Sequence, residues 1–117
     1  NDTHGHETGD HVLRLVAKTL ARSLRPFDLA GRWGGEEFLA VILNVDTIDL
    51  GVVAERVRAL IAETRIPLED DYLSVSVSIG GTLARSDDSS EALLNRADQL
   101  MYQCKMEGRN RVCLDPD

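Results

Sequence analysis

The chain has 117 residues, the length of a single domain that can bury a hydrophobic core. Its 43% apolar residues exclude a disordered chain, and its net charge of −7 disfavours a nucleic acid or an anionic membrane as the partner. Two cysteines and no run long enough to span a bilayer predict a cytoplasmic domain without a disulfide framework.

The first predicted element is an amphipathic helix that follows a polar loop over residues 1–9. Apolar side chains recur at intervals of three and four from Val12 to Leu24, with basic residues on the opposite face. Pro26 ends this helix, because proline lacks the amide hydrogen that a helix interior needs. Asp10 falls in the predicted first turn, where a carboxylate interacts favourably with the helix dipole.

A predicted hairpin comes next, because two apolar runs, residues 29–33 and 38–43, flank a glycine pair and two acidic residues. Glycine lets another group approach the backbone closely, so its amides can face an anion. A carboxylate beside such a gap indicates a magnesium–nucleotide site. The other interpretation is a plain hairpin with a solvated acidic tip. The four residues concerned are Gly34, Gly35, Glu36 and Glu37.

The remaining elements alternate between helices and strands. A turn over residues 44–47 leads into a second amphipathic helix that runs to residue 64. Alternation of apolar residues with serine over residues 73–79 predicts a strand, followed by a bulge at Gly80-Gly81. A third helix stops at Gly108, and a short strand covers residues 111–114.

The order helix, hairpin, helix, strand, helix, strand predicts an α/β domain of the α+β sandwich type. A sheet of this kind needs a strand before the first helix. With that strand upstream, the core would have the ferredoxin-like βαββαβ arrangement. The sequence opens without an initiator methionine, and we expect a domain cut from a longer protein.

Several short motifs in one order resemble the GGDEF domain of diguanylate cyclases, and the resemblance covers all 117 residues. The hairpin sequence matches the family signature in its GGEEF variant, and the flanking stretches match the family's ND, GH, GD, AD, Y, K and GRN motifs. The resemblance implies a nucleotidyl cyclase fold whose first strand is missing from this chain. The matching residues are Asn1-Asp2, Gly5-His6, Gly9-Asp10, Gly34 to Phe38, Ala97-Asp98, Tyr102, Lys105 and Gly108-Arg109-Asn110.

The resemblance implies an enzyme that condenses two GTP molecules into cyclic di-GMP and releases pyrophosphate. Each domain would hold one GTP, so a second GGDEF domain would have to face the first. The cofactor would be Mg²⁺ or Mn²⁺. A sensor or receiver domain would lie upstream, in a parent protein that can be membrane-anchored.

The resemblance also assigns the substrate contacts. Asn1 and Asp10 would bind the guanine edge, with His6 in the same loop, because amide and carboxylate groups match the donors and acceptors of guanine. The Gly34-Gly35 backbone would pass close to the α-phosphate. Glu36 would bind the metal and help to deprotonate the 3′-hydroxyl, and Glu37 would be a second acidic group at the metal.

Two basic residues at the end of the third helix would bind the phosphates in this family. Lys105 and Arg109 are four residues apart, so we expect them on one side of the helix end. Their other interpretation is an interaction with the helix dipole, worth ~0.3–1 kcal/mol each.

A product-inhibition site is implied by Arg25 and Asp28, which match the family's RxxD motif at its fixed distance of five residues before Gly34. Arg25 would present its planar fork to guanine, and Asp28 would accept from the N1 and N2 donors of guanine. Arg56 would be a secondary contact to the same cyclic di-GMP. The other interpretation is an exposed ion pair worth under ~1 kcal/mol.

Two other functions stay open. A GGDEF domain that has lost catalysis can be a receptor for cyclic di-GMP or GTP, or a dimerisation module, and a ferredoxin-like domain can mediate interactions without a ligand. The family's first strand carries a metal-binding Asp and a Lys that would precede Asn1. We therefore expect cyclase activity of the parent protein rather than of residues 1–117 alone.

Overall fold

The computed structural model describes residues 5–115, with side chains from residue 7 onward. This part of the chain forms three helices and six short strands, which confirms the predicted α/β class. In chain order they are α1 (Gly5–Ser23), β1 (Leu29–Gly34), β2 (Glu37–Val41), α2 (Thr47–Glu63), β3 (Arg65–Pro67), β4 (Tyr72–Ser74), β5 (Ser78–Gly81), α3 (Ser90–Met106) and β6 (Arg111–Leu114).

The strands pair two by two. β1 and β2 form an antiparallel hairpin, β3 and β4 form a second one, and β5 and β6 are parallel. Among the described residues, no ladder joins the β1–β2 hairpin to the β5–β6 pair. Each pair therefore offers a free edge to a further strand.

Two predictions about the extent of helices and strands were wrong. α1 begins at Gly5 rather than near Asp10, so residues 5–9 are helical and not part of a loop. The strand predicted over residues 73–79 is divided into β4 and β5, and residues 75–77 between them lie outside any strand. The β3–β4 hairpin was not predicted, because Pro67 disfavours a central strand but is tolerated at a sheet edge.

α2 and α3 each begin at a capping residue, and α3 ends before Gly108 as predicted. Asp46 is the N-cap of α2 and accepts from the Asp49 amide at 2.7 Å, and Ser89 caps α3 through the Ala92 amide at 3.1 Å. After α3, Gly108 has a φ of +121°, a conformation that glycine adopts without steric cost. Among the described helices, none is long and apolar enough to cross a membrane.

The core lies between the helices and the strand pairs. Its main cluster comes from α1 and α2, with side chains of β2, β5 and residues 75–77 packed against it, and Ile66 of β3 and Cys104 of α3 are also buried. α2 also packs against β6, where Leu114 lies against Gly51 of α2. α3 covers the other face of the β5–β6 pair. The cluster consists of Val16, Val57 and Ile61, surrounded by Val12, Leu20, Phe38, Val75, Val77 and Ile79.

Gly80 marks the contact between β5 and α3. A Cβ at this position would lie 2.3 Å from both Ala97 O and Met101 N, which are backbone atoms of α3. The ladder between β5 and β6 runs without interruption through Gly80 and Gly81, so the predicted bulge is absent. The glycine is there because the helix backbone lies directly against the strand.

Gly80→Ala is therefore expected to lower the free energy of unfolding by about 3 kcal/mol, the upper part of the range for overpacked cores, because backbone atoms cannot rotate away. Urea unfolding measures the change. Gly31→Ala is the matched control, since a Cβ there meets nothing within 4 Å. Equal stability of the two variants would contradict this close packing.

Candidate functional site

The tip of the first hairpin is a two-residue turn. The β1–β2 pairing runs from Leu29 opposite Val41 to Gly34 opposite Glu37, with a register shift between Arg32 and Gly34. The turn residues are therefore Gly35 and Glu36, not the glycine pair that the sequence indicated. Gly35 has a φ of +49°, in the left-handed region that favours glycine.

Arg32 fixes this turn from inside the hairpin. Its Nε donates to the carbonyl oxygen of Gly35 at 2.8 Å, across the end of the strand pair. The bond holds the peptide between Gly35 and Glu36. The sequence analysis assigns no role to Arg32, because spacing alone does not show which carbonyl a flexible side chain reaches.

The two acidic residues of the hairpin are free to bind a cation. Glu36 lies in the turn and Glu37 opens β2, and both are exposed. Within residues 7–115, neither carboxylate has a hydrogen bond or an ion pair that would neutralise it. No group of three His, Cys, Asp or Glu residues in the described part of the chain could hold a metal ion alone. These two carboxylates therefore need further oxygen ligands from outside this set.

A groove of about 390 Å³ separates α1 from the β1–β2 hairpin. α1 contributes Asp10, Leu13 and Arg14 to its wall, and the hairpin contributes Arg32 and Phe38. Apolar and charged groups alternate along it, so it can accept a flat ring with polar edges. The fold thus brings Asp10, 26 residues earlier in the chain, to the same groove as the strand that leads to Glu36.

The position of Asp10 corrects its expected structural role. α1 begins at Gly5, so Asp10 lies in the second turn, beyond the reach of the helix N-terminal dipole. Its side chain is exposed beside the groove. Asn1 and the side chain of His6 lie outside the described residues.

Lys105 and Arg109 occupy different kinds of structure. Lys105 is in the last turn of α3, which ends at Met106. Arg109 follows the helix with a φ of +62°, so the expected four-residue spacing on one helix side does not apply to it. Both lie around the turn between α3 and β6.

Arg25 and Asp28 form a compact corner after α1. The Asp28 carboxylate accepts from Arg25 Nε at 3.0 Å, from the Arg25 amide at 3.1 Å and from the Leu43 amide at 2.9 Å. Its side chain is 1% exposed, whereas that of Arg25 is 41% exposed. The hydrogen bond from Arg25, with the backbone bonds, lowers the pKa of Asp28 to about 2. Asp28 is thus buried and hydrogen-bonded within the corner, whereas Arg25 is partly exposed to solvent.

The exposed part of Arg25 has a defined orientation. Its Nη2 donates to Asp28 and to the Leu43 carbonyl oxygen, and its guanidinium lies over the Phe27 ring at 4.7 Å from the centroid. Such stacking stabilises a cation over an aromatic face. Arg56, on α2, donates from Nη2 at 2.6 Å to Ser23 O, two residues before Arg25. The structure therefore pairs Arg25 with Asp28 and places Arg56 at the end of α1.

Comparison with known proteins decides the family. The sequence profile described as "Diguanylate cyclase, GGDEF domain" matches residues 1–111. The chain belongs to the GGDEF family. It is 40% identical over 115 residues to diguanylate cyclase A of Treponema denticola, covering 97% of this chain and 31% of that protein. The chain thus spans about a third of the length of that relative.

Solved structures agree with the fold of this GGDEF domain. Diguanylate cyclase SiaD of Pseudomonas aeruginosa, in complex with its activator SiaC, is similar with a TM-score of 0.93 and 38% identity, over 98% of this chain and 44% of that one. The GGDEF domain of DgcB from Caulobacter crescentus, in complex with c-di-GMP, is similar with a TM-score of 0.92 and 32% identity, over 97% and 68% of the chains. The nucleotidyl cyclase type of fold is therefore confirmed.

Proposed function

We propose that this GGDEF domain is the catalytic part of a diguanylate cyclase, which condenses two GTP molecules into cyclic di-GMP with release of pyrophosphate. The observation that carries the proposal is the groove between α1 and the β1–β2 hairpin. It places Asp10 beside a hairpin with the intact sequence from Gly34 to Phe38. The similarity to named diguanylate cyclases supports the same activity.

The guanine base lies in the groove in this proposal. The Asp10 carboxylate accepts from the N1 and N2 donors of guanine, and Leu13 and Phe38 cover the faces of the ring. Asn1 and His6 contribute from the segment before Asp10. The amides near Gly34 and Gly35 face the α-phosphate, and the cations Lys105 and Arg109 bind the terminal phosphates.

The reaction is a displacement at the α-phosphorus. Glu36 accepts the proton of the 3′-hydroxyl of one GTP, and the resulting oxygen attacks the α-phosphorus of the GTP on a facing domain. The bond to the β-phosphate breaks and pyrophosphate leaves. Two domains must face each other, because each holds one of the two GTP molecules that are joined into the ring. We propose a homodimer for this reason.

A divalent cation, Mg²⁺ or Mn²⁺, fits the donor set only together with the nucleotide. Glu36 and Glu37 supply two free carboxylates, and magnesium is commonly bound through one or two carboxylates plus substrate phosphates and waters. When bound, the ion supplies positive charge that offsets the charge of the triphosphate. The net charge of −7 makes such compensation necessary for an anionic substrate.

We propose that the whole protein carries a strand between the β1–β2 hairpin and the β5–β6 pair. The free edges of these pairs support it, since an added strand would join them into one sheet. That strand would supply the further metal ligands that residues 7–115 lack. A sensor or receiver domain upstream would set the distance between two such GGDEF domains. The GGDEF domain would lie in the cytoplasm, in a protein that is either free or attached to a membrane anchor.

The corner of Arg25, Asp28 and Arg56 is proposed to bind cyclic di-GMP and to inhibit turnover. Arg25 is the partly exposed residue there, and the edge of its guanidinium that is not bonded to Asp28 would donate to guanine. The buried Asp28 orients the guanidinium, so its contribution comes through Arg25. The bound c-di-GMP in the DgcB structure supports a product complex in this family.

A receptor function is the second candidate. One observation favours it: the described residues complete the Arg25 corner but not a three-ligand metal site. A receptor would bind cyclic di-GMP without turning over GTP. Dilution separates the two functions, because the turnover per domain of a cyclase falls when its dimers dissociate. A full-length protein that forms no product at any concentration would contradict the cyclase.

Asp10→Ala is expected to weaken GTP binding by about 10- to 100-fold, because the N1 and N2 donors of the bound guanine would lose a partner worth ~1–3 kcal/mol. ATP binding, already weak, should change much less. Calorimetric titration of both nucleotides measures the difference. The control is Asp49→Ala, an exposed acidic residue in the first turn of α2. Equal losses for GTP and ATP would mean that Asp10 does not read the base.

A further inference from the structure

The turn between α3 and β6 is strained. Three successive residues have positive φ: Gly108 at 121°, Arg109 at 62° and Asn110 at 48°. Glycine adopts such angles freely, but residues with a Cβ rarely do, because the side chain approaches the following carbonyl. Non-glycine residues keep this conformation only where surrounding contacts impose it. Contacts around Arg109 and Asn110 must therefore hold their backbone in this conformation.

Two of these contacts are local. The Arg109 amide donates to Cys104 O at 2.9 Å, which closes the end of α3, and Arg111 Nε donates to Arg109 O at 3.1 Å. Both act on the backbone of Arg109. Neither holds Asn110, which is the last of the three residues and sets the direction in which β6 leaves the turn.

Asn110 is held by a residue of another element. Arg58 Nη1, on α2, donates to Asn110 Oδ1 at 2.9 Å across 52 residues of sequence. This hydrogen bond links a side chain of the turn to a side chain of α2. The Arg58 side chain is 21% exposed, whereas Asn110 is exposed, so the bond lies at the surface.

Arg58 is itself oriented for this bond. Its Nε donates to Glu55 Oε1 at 2.8 Å and its Nη2 donates to Glu55 Oε2, a forked pair within one turn of α2. This pairing raises the pKa of Arg58 and lowers that of Glu55. With two sides of the guanidinium taken by Glu55, Nη1 is directed at Asn110. Lysine has no such fork and cannot make both contacts at once.

We propose that Arg58 is a positioning residue for nucleotide binding: through Asn110 it holds the strained turn in the conformation that presents Arg109 to the terminal phosphates of GTP. This inference rests on the proposed function for the identity of the ligand. The contacts that fix the turn do not depend on the identity of the ligand. Arg58 does not touch the nucleotide, so its effect has to pass through Asn110 and Arg109.

The test compares nucleotides that differ in their terminal phosphates. In the full-length protein, Arg58→Ala should weaken GTP binding by about tenfold, as expected for one lost contact to a charged group, while GMP binding changes less than about twofold. In an Arg109→Ala background the same substitution should have no further effect on GTP. Arg65→Ala is the matched control, an exposed arginine at the start of β3 that removes the same charge.

A rescue variant separates positioning from general stability. Glycine adopts positive φ without an external contact, so Arg58→Ala combined with Asn110→Gly should recover most of the GTP affinity lost by Arg58→Ala alone. Hydrogen exchange of the Arg109 amide, bonded to Cys104 O, should accelerate in Arg58→Ala and slow again in the double variant. A purely structural role for Arg58 would give no such rescue.

Several outcomes would overturn the inference. They are unchanged GTP affinity in Arg58→Ala, equal losses for GTP and GMP, and failure of Asn110→Gly to restore affinity. Failure of the proposed function looks different, because the unmodified protein itself would then not bind GTP. In that case the exchange rates of the Arg109 amide still decide whether Arg58 fixes the turn: unchanged rates in Arg58→Ala would refute it.

Discussion

Glu36→Gln is expected to reduce the rate of cyclic di-GMP formation by about 1,000-fold, the size of loss typical when an electrostatic contact to a transition state is removed. The amide keeps the shape of the side chain but cannot take the proton of the 3′-hydroxyl and is a much weaker ligand for a divalent cation. Glu36 lies in the exposed turn and has no partner within the described residues, so the fold should be unaffected. Product is measured by chromatography of reactions with GTP and Mg²⁺.

The matched control is Glu69→Gln, which removes the same charge from an exposed position between β3 and β4. Its turnover should stay within about twofold of the unmodified protein, because distant surface charges are screened. Thermal unfolding of both variants checks that they are folded. If Glu36→Gln kept most of its turnover while folded, the role assigned to Glu36 would be wrong.

Arg25→Ala is expected to weaken cyclic di-GMP binding by about 100-fold, since a hydrogen bond to a charged group is worth ~1.5–3 kcal/mol. Arg25 is the outward-facing member of its corner and lies stacked over Phe27. The same substitution should relieve inhibition of turnover by added product. Calorimetric titration measures the affinity, and initial rates with added cyclic di-GMP measure the inhibition.

Asp28→Asn should produce a smaller loss of affinity by loosening Arg25. The Asp28 pKa is lowered to about 2 by Arg25 and by backbone amides, so the carboxylate stays ionised at neutral pH. A lowered pKa stabilises the folded state above the unfolded value of ~3.9, and this contribution is lost as the pH falls toward 2. We therefore expect the ion pair to contribute equally to cyclic di-GMP affinity at pH 8 and at pH 5.

Arg22→Ala is the control for these variants, because Arg22 is an exposed cation in the last turn of α1 and outside the corner. It should bind cyclic di-GMP with unchanged affinity. Binding that survived Arg25→Ala but disappeared in Glu36→Gln would place the product in the substrate groove instead. That result would contradict an inhibitory site at the Arg25 corner.

The sequence predicted local structure where short motifs carry the information. The glycine pair with its acidic neighbours indicated the hairpin, and the turn over residues 44–47 indicated the start of α2. The fold class followed from the order of apolar periods. The groove beside Asp10 could not be derived from periodicity, because it depends on how α1 packs against a hairpin later in the chain.

The partners of flexible side chains were beyond sequence reasoning. Arg32 bonds to Gly35 O within its own hairpin, and Arg58 bonds to Asn110 Oδ1 across 52 residues, a partner that tertiary packing selects. The early start of α1 was also missed, because glycine and polar residues have low helix propensity and packing overrides it. The division of the strand predicted over residues 73–79 has the same origin, since its alternation matches one strand.

The most direct test of the central claim is the stoichiometry of GTP conversion by the full-length protein with Mg²⁺. Mass spectrometry identifies the nucleotide product, and an enzymatic assay counts the pyrophosphate released. We expect cyclic di-GMP with two pyrophosphates for each molecule formed, and formation of both products about 1,000-fold more slowly in Glu36→Gln. Bound but unconverted GTP, or hydrolysis to GDP and phosphate, would contradict the assignment of this GGDEF domain as a diguanylate cyclase.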